Sequence, residues 1–100
     1  MVRITEATQR KLPRRFGFDW GGGYVIEEVS IKCNISAHTW EPAIQLLEYD
    51  DGEQQLRFCV YTGKRFKRMP LLIGTEEITA LRKQIKKSRR IKNLLTKLTK

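Results

Sequence analysis

The sequence predicts an α+β domain in which a four-stranded antiparallel sheet is followed by a C-terminal helix (ββββα). Three observations carry this reading. Apolar residues alternate through much of residues 24–62, an Asp-Gly dipeptide sits in the middle of that stretch, and apolar residues take helical spacing after Gly74. One hundred residues allow a single modest core. An apolar fraction of 40 % suits a folded chain.

Residues 1–23 read as a basic, glycine-rich and flexible arm, and residues 24–100 as the domain. "RKLPRRFGFDWGGG" combines a proline, two basic pairs and three consecutive glycines without a sustained period. Its Phe16, Phe18 and Trp20 have two uses open to them: docking on the domain or stacking on bases. "VSIKCNI" then alternates, with Val29, Ile31, Cys33 and Ile35 on one side and Ser30, Lys32 and Asn34 on the other. "PAIQLLEYDDGEQQLRFCVYT" reads as a hairpin about Asp51-Gly52. Leu56, Phe58 and Val60 share one face of its second arm, and Arg57, Cys59 and Tyr61 the other. "MPLLIG" supplies a fourth short strand, with Pro70 at an edge or a bulge because it cannot donate to a ladder.

Thr75 is the expected N-cap of the helix, and Glu76 and Glu77 suit its positive end. Ile78, Leu81 and Ile85 form an apolar stripe, and the opposite side fills with Lys and Arg. The helix either continues to about residue 98 or breaks near Ser88 into two pieces. A sheet covered on one side by a helix leaves its other face to water or to a ligand.

Net charge is +9, which points to an anionic partner, either nucleic acid or an acidic membrane surface. The charge is local. Residues 1–23 hold five Lys/Arg against two acids, residues 24–63 two against seven, and residues 64–100 thirteen against two. Cys33 and Cys59 have no CxxC spacing, and with His38 they make no metal set; they read as small buried hydrophobes of a reduced cytosolic protein. No apolar run reaches the length of a membrane span, and the N-terminus lacks an apolar signal core, so a soluble cytoplasmic protein is expected, nucleoid-associated if bacterial or phage. The hairpin acids Asp50, Asp51 and Glu53 read as solvated turn residues. No catalytic motif is present, so neither an enzyme nor a cofactor or metal ion is expected.

Tyr49, Arg57 and Tyr61 fall on the sheet face expected to be open, and Lys32 joins them from the first strand. Lys64, Arg65, Lys67 and Arg68 of "TGKRFKRM" form a rim at its edge, where Phe66 either caps the platform or tucks under the loop. Flat rings beside cations suit unpaired bases, which stack for roughly 1–3 kcal/mol each while Lys and Arg neutralise phosphates.

The segment from Trp40 to Leu81, with "WEPAIQLLEYDDGEQQLRFCVY" and "TEEITAL", resembles the single-stranded-DNA-binding domain of the transcriptional coactivator positive cofactor 4 and its short bacterial and phage relatives. The resemblance implies a curved sheet packed on the helix. It also implies a two-fold homodimer whose helices meet across the axis, and single-stranded nucleic acid along the exposed sheet. Tyr49 and Tyr61 then hold the base-stacking places, and Lys64, Arg65, Lys67 and Arg68 the basic loop. Leu47 and Cys59 stand where the family carries arginines, Arg57 where it carries an acid, and the hairpin tip is acidic instead of basic. The expected function is a non-enzymatic binder of single-stranded DNA or RNA, of low sequence specificity, in transcription, replication or repair. The alternative is a protein-interaction module whose basic amphipathic C-terminal helix docks a partner or an acidic membrane.

Overall fold

In the computed structural model, residues 2–62 and 74–99 are described in full and residues 65–67 by their backbone. In chain order the described elements are β1 (Arg3–Thr5), β2 (Arg14–Phe18), β3 (Gly21–Ser30), β4 (Lys32–Ile35), β5 (His38–Tyr49), β6 (Gln54–Thr62), β7 (Arg65–Lys67), α1 (Thr75–Ile85) and α2 (Arg89–Thr99). The class is α+β, and the strand pairings are antiparallel. Of the strand expected over "MPLLIG", residues 69–73 lie outside the described residues.

β5 is the centre of the sheet. One edge carries β6, and the other carries β3 and β4. β3 and β4 are two halves of one arm, as the alternation through "VSIKCNI" predicts: Val29 faces Ile44 and Cys33 faces Trp40. The arm is interrupted at Ile31. Its amide donates to the Pro42 carbonyl at 3.3 Å, but Pro42 has no N–H to return the bond. Nearer the start of β3 the register shifts between Val25 and Glu27, a bulge that sets Val25 and Glu28 on one face, opposite Leu47 and Gln45.

The turn joining β5 to β6 sits where Asp51-Gly52 predicts it. The Gly52 amide donates to the Tyr49 carbonyl at 2.9 Å, and the Asp51 carboxylate accepts the Glu53 amide at 2.9 Å. Gly52 takes φ of 92°, a conformation that a side chain would oppose.

Val29, Ile31, Cys33, Ile44 and Leu46 form the buried face, closed by Leu81 of α1 and Ile91 of α2. Leu56, Ile85, Leu94 and Leu95 pack around them. Ile78 does not join this stripe; it is 54 % exposed, while Glu77 turns inward and accepts the Gly74 amide at 3.1 Å. The helix therefore starts one residue earlier than a Thr75 cap predicts: Gly74 is the N-cap, and its carbonyl accepts the Ile78 amide at 3.0 Å. Of the two outcomes open for the C-terminal helix, the chain takes the break. Ser88 precedes α2, accepts the Lys92 amide on its carbonyl at 2.9 Å and donates its hydroxyl to Glu27 of β3. Glu27 also receives Arg90 at 3.4 Å, so one carboxylate ties the corner between the helices to the sheet.

The largest departure from expectation lies in residues 1–23. They carry two strands where a flexible arm is expected. β1 pairs with β4, and β2 pairs with β3 from Arg14↔Val25 to Phe18↔Gly21. "RRFGF" does alternate, with Arg14, Phe16 and Phe18 on one side, but five residues between a proline and three glycines are too few for the period to stand out.

The glycines themselves belong to the sheet. Gly23 is paired with Phe16 on one side and Tyr49 on the other, and a Cβ there would lie 2.1 Å from the Glu48 carbonyl oxygen. Gly23→Ala should thus cost about 1–3 kcal/mol by forcing strands apart; an unchanged urea midpoint would show that the backbone yields freely at this point.

Candidate nucleic-acid interface

Paired strand residues share a face, so the register sets out the surface opposite the helices. From β5 it receives Glu41, Ala43, Gln45, Leu47 and Tyr49; from β6, Gln55, Arg57, Cys59 and Tyr61; from β3, Gly23, Val25, Glu28 and Ser30; and from β2, Arg14, Phe16 and Phe18. Its two ends differ in chemistry.

At the Tyr61 end the surface is a closed polar network. The chain between β1 and β2 folds over it. Thr8 donates its amide and hydroxyl to Glu41 at 3.0 and 2.9 Å, and Arg10 donates both terminal nitrogens to the same carboxylate at 3.1 and 3.2 Å. Ser30 adds its hydroxyl at 2.9 Å. Burial alone would raise the Glu41 carboxyl, but the hydrogen bonds from Arg10, Thr8 and Ser30 outweigh it and hold its pKa below the ordinary value. The Arg10 guanidinium then lies 3.6 Å from the centre of the Tyr61 ring, covering one face. The Tyr61 hydroxyl accepts Arg14 at 3.1 Å and Gln45 at 2.9 Å. Its pKa is raised, first by burial and then by the nearby Glu28 carboxylate. Arg14 pairs with Glu28 at 3.0 Å.

At the Tyr49 end the surface is aromatic. Phe16 meets Phe18 edge-on at 5.5 Å and Tyr49 edge-on at 5.2 Å. Phe18 stacks flat on Trp20 at 4.6 Å with 6° between the rings. Trp20 is 73 % exposed, so its outer face meets solvent. Arg57, held by Gln45 at 2.7 Å, places its guanidinium 5.8 Å from the Phe16 and Phe18 rings. Phe18, Trp20, Leu47, Gln55, Leu56, Arg57 and Phe58 line a shallow groove of about 360 Å³. Arg15 is turned to the other side and pairs with Asp50 at 2.7 Å.

Tyr49, Arg57 and Tyr61 do share one surface, as the alternation predicts, but they do not make one platform. Tyr49 lies eight positions along β5 from Glu41, the partner of Tyr61, roughly 26 Å at about 3.3 Å per residue. Lys32 lies on β4, opposite Thr5. Arg65, Phe66 and Lys67 form β7 beside β6, with Phe66 opposite Tyr61; Lys64 and Arg68 lie outside the described residues. The aromatic face depends on Phe16, Phe18 and Trp20, whose place in "RRFGFDW" gives docking and stacking as alternatives without choosing between them.

Cys33 and Cys59 are buried free thiols pushed up to about 11, above all by burial, which makes them poor nucleophiles. Among the described residues no group of His, Cys, Asp or Glu is placed to hold a metal ion, and no helix is long and apolar enough to cross a membrane. Compared with protein-family models, with curated proteins and with solved structures, the chain matches none.

Proposed function

We propose that the chain is a single-stranded nucleic-acid-binding protein that acts without enzymatic chemistry, and that its base-stacking site is the aromatic end of the sheet. The observation that carries this reading is the Trp20–Phe18 stack: Trp20 is 73 % exposed, and the Arg57 guanidinium lies 5.8 Å from the Phe18 ring beneath it. Trp20 is not an isolated exposed ring: with Phe18, Leu47 and Phe58 it lines one apolar groove, the kind of contiguous surface that marks a binding site. An unpaired base is flat and apolar on its face and carries a phosphate that a neighbouring cation can meet. The resemblance of Trp40–Leu81 to the single-stranded-DNA-binding family supports the same reading. A two-fold homodimer belongs to it as well, and Ile78 and Leu98, exposed at 54 % and 71 %, are apolar helical side chains available for such a contact.

The reading places stacking at Trp20 and Tyr49 rather than at Tyr61, one of whose ring faces is already taken by Arg10. Adding an oligothymidylate of twelve nucleotides should quench tryptophan emission. Trp20→Ala should remove that quench and weaken binding by about 1–3 kcal/mol, on the order of 5- to 150-fold in Kd. Equal oligothymidylate affinities for the two proteins would overturn the proposal. Emission that survives the titration unchanged would do so too.

A further inference from the structure

The cations of the sheet surface and those of the helices are in different electrostatic states. On the sheet, Arg10, Arg14 and Arg15 are matched by Glu41, Glu28 and Asp50. From Arg82 to Lys97 the helical layer holds eight Lys/Arg and no acid, and all eight are exposed. Among the described residues only Arg90 of these is in an ion pair, with Glu27. The strongest uncompensated field of the described molecule therefore lies on the side away from the aromatic cluster, centred on the corner where Lys86, Lys87, Arg89 and Arg90 follow one another.

We infer that this helical layer is a second anion-binding surface and that its partner is the phosphate backbone of a nucleic-acid duplex. Two features separate a duplex from other polyanions. A bilayer takes up an amphipathic helix through its apolar face. Here most of that face is used: Leu81 and Ile91 are buried, and Ile85, Leu94 and Leu95 pack against the core, which leaves only the isolated Ile78 and Leu98 as exposed large apolar side chains on the helices. An unpaired strand is held by stacking as well as by charge, yet residues 75–99 contain no aromatic residue. What remains is recognition by charge alone, which suits a duplex, since it hides its base faces and presents about one charge per 1.7 Å of axis. Either helix, at 11 residues, is about 16 Å long. With a base-stacking site on one side and a backbone-binding site on the other, one protomer would hold a strand and a duplex together.

The test uses the full chain with Lys86, Lys87 and Arg89 changed to Gln, which preserves helix propensity and leaves the Ser88 and Arg90 contacts to Glu27 in place. Binding of a 20-base-pair DNA duplex should fall on the order of a hundredfold at 0.1 M salt, and the slope of log K against log salt should become shallower by about 2.7. The charge-preserving Lys86→Arg/Lys87→Arg/Arg89→Lys protein should bind the duplex as the parent does. Trp20→Ala should leave duplex binding unchanged, so that failure of the stacking site and failure of the helical surface are read separately. Unchanged duplex affinity and slope in the Gln protein would overturn the inference. So would loss of duplex binding on Trp20→Ala, or a Gln protein that loses binding to phosphatidylserine vesicles while keeping the duplex.

Discussion

Glu41→Gln should lower the stability of the domain by about 3 kcal/mol at neutral pH, read as a shift of the urea unfolding midpoint. Glu41 is 4 % exposed, and its two oxygens receive five hydrogen bonds, from Thr8, Arg10 and Ser30. Glutamine has nearly the same shape but turns one acceptor into a donor facing other donors. It also leaves Arg10 with only Glu28, at 3.8 Å, as a charge partner. The main loss is thus the cost of a poorly compensated guanidinium more than of any single bond. That distinction can be measured: replacing both partners, with Arg10→Met and Glu41→Leu, should recover part of the loss, because an apolar pair leaves no charge behind.

The same carboxylate gives a pH dependence of known sign. Its folded pKa lies below the ordinary 4.5, so the unfolded chain takes up its proton first as pH falls. The stabilisation is complete above about pH 5 and is lost as pH drops through the folded value. The parent protein should lose stability between pH 5 and pH 3 more steeply than Glu41→Gln, and parallel curves would show that the carboxylate does not supply the slope.

The central strands were legible because each satisfied two constraints at once. The alternation through "VSIKCNI" and "AIQLLEY" sets a face, and Asp51-Gly52 fixes the register between β5 and β6, so a slip of one residue would have turned Ile44 and Leu46 to the wrong side. The N-terminal segment gave no such agreement. Its fastening depends on Arg10, Arg14 and Arg15 finding Glu41, Glu28 and Asp50, partners 14 to 35 residues away in the chain. Charge counted along the chain shows +3 beside −5 but not which arginine meets which acid. For the same reason the covered Tyr61 could not be foreseen: the period places its side chain on the face, while the occupant of that face comes from residues 8–10. Ile78 fails differently. Its spacing from Leu81 and Ile85 is helical, but in the first turn of α1 Glu77 is the residue that turns inward, so spacing gives a stripe and not its extent.

Ile91→Ala should cost about 2–5 kcal/mol, the loss of transfer free energy together with an unfilled cavity. Ile91 is fully buried and is the only residue of α2 so placed; Leu94 and Leu95 are partly covered. An 11-residue helix is marginal on its own in water, so α2 depends on this anchor more than on its intrinsic propensity. The damage should therefore be local before it is global. Amide exchange should rise first in residues 89–99, while the β5 amides keep their protection. Leu98→Ala, which removes a side chain 71 % exposed, should change the unfolding free energy of the monomer by less than about 0.5 kcal/mol. The consequence reaches the basic corner, because α2 begins beside the Ser88 and Arg90 contacts to Glu27. If α2 loosens, Lys86 to Arg90 lose their common frame, and duplex affinity should fall in Ile91→Ala although no cation has been removed. Uniform loss of protection in α2 and β5, with duplex affinity intact, would instead mean that the cations act as a diffuse charge that needs no fixed helix.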